Sequence, residues 1–253
     1  MEAMASAKRL LIFKVLLWSA AFSATAGAGT LPGEPEFSVF VNDYQYGPEM
    51  LGLTPVEGSS LYQTFGAVSE GDVGFGWDLS VDPDPLIGGG FSVTNQTNST
   101  QTYSVMFDLG VNSPFAPALQ RGEVTYSLSD SSGVGIADGA ASVSNLEWSG
   151  VIDGTRSLNL ALIDANCFGM GCTIGFGPIA EAFQLYQLGV NSSIGIELTF
   201  DLSAGDRLDV NTLFEVVPVP LPAGLWMLFS GAALLLPFAR NRRSTLHAKV
   251  RAV

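Results

Sequence analysis

Side chains able to move protons or attack carbonyls near neutral pH are nearly absent from the central part of this chain. His247 is the only histidine, and no lysine occurs between residues 15 and 248. Without them there is no Ser-His-Asp or Cys-His arrangement, no ordinary catalytic zinc centre, no Schiff base and no Ser-Lys pair. Glycine-rich phosphate loops and the G-x-S-x-G nucleophile turn are missing too. Carboxylates remain, 23 of them between residues 29 and 217. Glycoside hydrolysis needs two carboxyls about 5–10 Å apart, and among so many acids such a pair arises by chance. No spacing singles one out. The sequence therefore predicts no catalytic residue, no cofactor and no metal centre, and a carboxylate glycosidase is its least favoured reading.

Four smaller groups of residues carry possible chemistry. Cys167 and Cys172 are the only cysteines and flank a glycine-containing stretch. Outside the cytoplasm such a pair closes a small-loop disulfide; a metal or redox role lacks both histidine partners and a second pair. Asp78, Asp82 and Asp84 bring hard oxygens together, but not at the spacing of a calcium loop, and aspartates beside Pro83 and Pro85 favour a structural turn. Trp77 and Trp148 are of the type that stacks on sugar rings, although in a β-sandwich tryptophans more often belong to the core. Asn95, Asn98 and Asn191 open N-x-S/T triplets, which are expected at surface positions.

Charge and hydropathy patterning say where such groups would work. The chain has 253 residues, 47% of them apolar and 14% charged, with a net charge of −13. Lys8 and Arg9 precede an apolar run over residues 10–22, broken only by Lys14, and small residues follow. This is the order of a secretory signal, with cleavage expected after Ala26 or Ala28 by signal peptidase following the Sec translocon; residues 1–28 form the first segment. Residues 219–239 are 21 positions without a charge, followed by Arg240, Arg242 and Arg243. At 1.5 Å per residue they span the hydrocarbon core as one transmembrane helix. The arginines mark its cytoplasmic side, so the chain before it lies outside the cytoplasm and residues 244–253 form a short basic tail. Only Arg121, Arg156 and Arg207 then remain as bases between residues 29 and 217, which gives that region a net charge of −20. Such a surface repels nucleic acid and anionic lipid and attracts cations.

Residues 29–217 have a dominant period of two. Tyr103, Val105, Phe107 and Leu109 alternate with polar positions, as do Val124, Tyr126 and Leu128, and Ile194, Ile196, Leu198, Phe200 and Leu202. Each run has one dry and one wet face. With further candidates over residues 37–41, 73–81, 91–97, 141–144, 158–163 and 208–216, about nine antiparallel strands are expected. Turns are expected at residues 82–85, 88–90, 129–133 and 203–206. The pattern predicts an all-β, jelly-roll-like antiparallel β-sandwich ectodomain followed by one C-terminal transmembrane helix. Residues 179–188 leave a helix open, since Ile179, Phe183 and Tyr186 have helical spacing.

The carboxyl end carries a resemblance. Val219, Pro220, Leu221, Pro222 and Ala223, then the apolar run, then Arg240, Arg242 and Arg243, resemble the PEP-CTERM sorting signal of Gram-negative bacteria over residues 218–243. Leu221 stands where the eponymous motif has glutamate. The ectodomain is similar to proteins of that group in Trp77, the Asp-Pro-Asp-Pro turn at residues 82–85 and the Thr/Ser-rich strand over residues 94–107. The resemblance implies that the helix holds the exported protein in the inner membrane until an exosortase cuts near the proline motif. It also implies a cell-surface or extracellular-matrix destination in cells that make exopolysaccharide, with exopolysaccharide as a partner. Pro218, Pro220 and Pro222 cannot donate backbone hydrogen bonds and hold the chain extended, as a processing cleft or a stiff spacer requires. The leading expectation is a non-catalytic exported surface or matrix protein, and the alternative is a carbohydrate-binding module.

Overall fold

The computed structural model describes residues 35–130, 140–169 and 171–219. The signal-type segment with Ala26 and Ala28, the sorting motif beyond Val219, the apolar span and the Arg240, Arg242 and Arg243 cluster lie outside the described residues. Among the described residues no helix is long and apolar enough to cross a membrane.

In chain order the elements are β1 (Phe37–Val41), β2 (Tyr44–Tyr46), the single turn α1 (Pro48–Leu51), β3 (Thr54–Pro55), β4 (Tyr62–Glu70), β5 (Val73–Asp82), β6 (Leu86–Asn95), β7 (Gln101–Gly110), β8 (Ala118–Asp130), β9 (Ala140–Ile152), β10 (Thr155–Ala161), β11 (Ala165–Phe168), β12 (Thr173–Tyr186), β13 (Ser193–Leu202) and β14 (Asp206–Pro218). They form two sheets. The first runs β10-β9-β13-β7-β1-β2, with β11 also on β9, and the second runs β12-β8-β14-β6-β5-β4-β3. Every strand pair is antiparallel.

Alternation explains which face of each strand is dry. Val39 and Val41 of β1, Val105, Phe107 and Leu109 of β7 and Ile194, Ile196 and Leu198 of β13 bury one face of the first sheet. Phe75 and Leu79 of β5, Val93 of β6, Leu128 of β8 and Val210 and Phe214 of β14 do the same for the second. Facing each other, these rows form one core, and removal of their apolar area from water holds the sheets together. Trp148 of β9 crosses that core: its Nε1 donates to Thr212 Oγ1 at 2.8 Å. Its ring occupies room left by Gly122, where a Cβ would lie 2.5 Å from the indole. Trp77 makes the corresponding bond, Nε1 to Thr64 Oγ1 at 2.9 Å.

The nine strands expected from alternation are all present, and five more join them. β2, β3 and β11 are too short to show a period. β12 covers residues 179–186 of the stretch left open as a helix; register shifts at Phe176/Ile179 and Glu181/Gln184 break its alternation. The glycines at 88–90, expected as a turn, lie inside β6. Gly89 has φ +123° and a Cβ there would come 2.3 Å from the Asp78 carbonyl oxygen, so only glycine lets β5 and β6 pair through this point. The turns at 82–85 and 203–206 fall between strands as expected.

Polar clamps close the ends of the sandwich. Asn95, expected at the surface as a glycosylation triplet, is instead fully buried. Asn191, in another such triplet, is exposed, but its Nδ2 donates to Asp153 at 2.9 Å. The Asp153 carboxylate also accepts from the N–H groups of Asn191, Ser192 and Ser193 and from the Ser192 hydroxyl, tying the β9–β10 turn to the start of β13. Burial alone would raise its pKa, but these donors outweigh burial and hold it at about 2. A carboxylate depressed in the folded state stabilises the fold above its unfolded pKa of about 3.9, and the contribution fades as pH falls toward 2. Because the group is partly solvated, it should supply about 1 kcal/mol. Urea midpoints measured from pH 6 down to pH 2 should fall more steeply for the native chain than for Asp153→Asn, and parallel curves would count against this clamp.

Candidate functional site

The outer face of the second sheet holds a trough of about 360 Å³ over β5, β6 and β14. Two glycines make its floor. A Cβ on Gly76 would lie 3.0 Å from Ser92 Oγ, and one on Gly90 would lie 2.8 Å from Asn211 Oδ1. The missing side chains thus let a hydroxyl and an amide lie across the backbone.

Strand register sets the order of groups across this face. Phe65 pairs with Asp78, Asp78 with Gly90, Gly90 with Asn211 and Asn211 with Thr125. At the usual strand spacing the row from Phe65 to Asn211 is about 14 Å long. Phe65 is 79% exposed, against 8% for Trp77 on the neighbouring strand. An unshielded aromatic ring is followed by a carboxylate, bare backbone and an amide. The adjoining row contributes Ser92 and Asp209. Asp209 is held by Arg207 at 2.6 Å, and this hydrogen bond keeps the guanidinium above its ordinary pKa while burial opposes the shift. Chemically, the trough offers hydrogen-bond acceptors and donors for hydroxyl or amino groups, and Phe65, outside its lining but next to Asp78 in the row, adds one flat apolar surface at its edge.

A second recess, of about 430 Å³, lies on the outer face of the first sheet, beside Glu36, Asp108 and Ser193. Burial pushes the Asp108 carboxyl up against the lowering effect of the Ser193 hydroxyl. No exposed aromatic residue lines it.

The sequence-derived residues fall as follows. Trp77 and Trp148, considered as stacking platforms, are core residues; each shares strand parity with inward residues such as Phe75 and Leu79 or Leu146. Cys167 and Cys172 form a disulfide, with Cα atoms 5.9 Å apart. Asp82 accepts from the Asp84 N–H and from Ser60 Oγ, which is turn chemistry, whereas Asp78 points outward in the trough. Among the described residues no group of three or more His, Cys, Asp or Glu side chains could hold a metal ion. Val219 ends the described chain, its N–H donating to the Pro117 carbonyl at 3.0 Å. Sequence reasoning missed Phe65 and Asn211. The available signal was parity: Phe65 is in phase with Gln63, Ala67 and Ser69, a polar and small face.

No family model matches this chain, and no curated protein matches it. Among solved structures it is similar to the carbohydrate-binding module TmCBM61 in complex with β-1,4-galactotriose, at 13% identity over 62% of this chain and 88% of that chain, with a TM-score of 0.23. It is also similar to the enzymatically active domain of tailspike protein 4 of bacteriophage CBA120, at 13% identity over 63% of this chain and 20% of that chain, with a TM-score of 0.23.

Proposed function

We propose that this chain is an exported, non-catalytic surface or matrix protein whose sandwich binds a polysaccharide along the row from Phe65 to Asn211, across the trough. Residues 219–239 hold it in the inner membrane, and an exosortase processes it at the Val219, Pro220, Leu221, Pro222, Ala223 motif. Export is supported by the disulfide, which persists in oxidising compartments, and by the signal-type amino terminus. The observation that carries the binding reading is the row of Phe65, Asp78, Gly90 and Asn211. An aromatic platform beside a carboxylate and an amide suits the apolar face and the hydroxyls of a sugar ring, and the open, glycine-floored trough has room for a chain to run through.

The test is direct. The protein recovered from its native cells should bind exopolysaccharide extracted from them, and Phe65→Ala should weaken that binding about tenfold, the equivalent of one lost stacking contact. Affinity electrophoresis measures both; equal retardation of the two proteins would remove the trough as the site. Mass determination of the same native material tests processing, and an intact end at Val253 would count against the exosortase step.

A further inference from the structure

The charge balance of the trough narrows its ligand. Between residues 29 and 217 the sequence holds three arginines and no lysine. The structure commits all three: Arg121 to Glu215 at 2.6 Å, Arg156 to Glu197 at 2.7 Å and Arg207 to Asp209 at 2.6 Å. Within the trough, Asp209 is therefore neutralised by Arg207, which shares the lining, while among the described residues no arginine pairs with Asp78. That carboxylate stands between the exposed Phe65 ring and the bare backbone at Gly90. It lies on a domain whose net charge of −20 concentrates cations and repels uronic-acid or sulfated polymers.

We infer that the trough takes a cationic glycan, a polymer of amino sugars with free amines, whose ammonium group pairs with Asp78 while the sugar face covers Phe65. The inference rests on the polysaccharide reading above and adds the substrate class. A free ammonium gives Asp78 a charge-assisted hydrogen bond, and the adjacent ring adds attraction through its negative face. Ser92 and Asn211 serve the neighbouring hydroxyls. Acetylation of the amine removes the charge and leaves Asp78 without its counter-ion.

Isothermal titration of the full chain in detergent micelles decides between the outcomes. The probes are a glucosamine hexamer with free amines, its N-acetylated counterpart, cellohexaose, a galacturonate hexamer and hexalysine. The free-amine hexamer should bind at least tenfold more tightly than the acetylated and neutral hexamers, with no binding of the galacturonate. Asp78→Asn should reduce that affinity about tenfold. It removes one of 23 acids, so diffuse attraction to the domain would hardly change; unaltered binding by Asp78→Asn would overturn the inference. Equal affinity for neutral and free-amine hexamers, lost on Phe65→Ala, would overturn the amine selectivity and leave the polysaccharide reading intact. Failure of every sugar, or hexalysine binding as tightly as the amino sugar, would overturn the polysaccharide reading itself. The comparison of acetylated with free-amine probes uses the unmodified protein, so it stands even if a variant folds poorly.

Discussion

Trp148→Ala is expected to destabilise the sandwich by about 3–5 kcal/mol, the usual cost of deleting a large buried aromatic side chain. The side chain is 1% exposed and meets Phe214 edge-on at 6.0 Å between ring centroids, so its loss opens a cavity between the two sheets. Its partner Thr212 loses a donor, although the Thr212 hydroxyl keeps its contact with the Glu123 carbonyl at 3.3 Å. For a domain this size the loss corresponds to a melting temperature roughly 10 °C lower. Differential scanning calorimetry of the native and variant chains measures it. A shift below 2 °C would mean that the indole is not in the core. The folded fraction of the variant should keep its affinity for glycan, because Trp148 lies on the opposite side of the second sheet from the trough. Trp148→Phe should recover part of the stability, since it restores one aromatic ring but leaves part of the indole's volume empty and forgoes the Nε1 hydrogen bond.

Asn95→Ala should cost about 3 kcal/mol, a larger effect than its position near a chain turn suggests. The Asn95 amide donates to the carbonyls of Ser99, Leu202 and Ser203 at 2.8–2.9 Å, and its Oδ1 accepts from the N–H and hydroxyl of Thr97. One side chain thus joins the β6–β7 connection to the β13–β14 turn, and each connection links the two sheets. Alanine removes the donor from the buried Leu202 carbonyl and the partly buried Ser203 carbonyl, at about 1–3 kcal/mol for each group left unsatisfied, while the exposed Ser99 carbonyl keeps the Thr97 hydroxyl. Asn95→Asp keeps the acceptor and loses the amide donors, so it should fall nearly as far. Urea denaturation would show this as a lower midpoint at unchanged slope; a midpoint equal to that of the native chain would dismiss the clamp. The same geometry explains why this triplet cannot carry a glycan while the sandwich is folded.

Legibility from sequence followed the length and regularity of each element. β7 and β13 each alternate over 10 residues and were readable directly. β4 was not, because Gly66 occupies an inward position; a Cβ there would lie 2.5 Å from the Trp77 ring. Between Tyr62 and Val68 the core side of that strand is therefore only Thr64 and Gly66, and the large residue that fills it is supplied by β5. β12 was hidden by its two register shifts and Pro178. The cysteine pair was readable because five residues of separation keep the partners close whatever the rest of the chain does.

The candidate site was legible only in fragments. Asp78 drew attention for a calcium-type spacing with Asp82 and Asp84, and the structure separates it from them. Trp77 and Trp148 are core residues, as tryptophans in a sandwich are expected to be, and the exposed ring beside Asp78 is Phe65, a placement that only strand pairing reveals.

By itself the sequence determined the chemistry that residues 29–217 lack and the net charge of −20, because composition needs no geometry. It also determined the dry face of each long strand, because alternation is a local property of an extended backbone. Only the tertiary structure decided which strands are neighbours. Residues 65, 78, 90 and 211 meet in one row because β4, β5, β6 and β14 lie side by side in register. That pairing is set by hydrogen bonds and packing between distant segments, and a period of two carries no information about the partner.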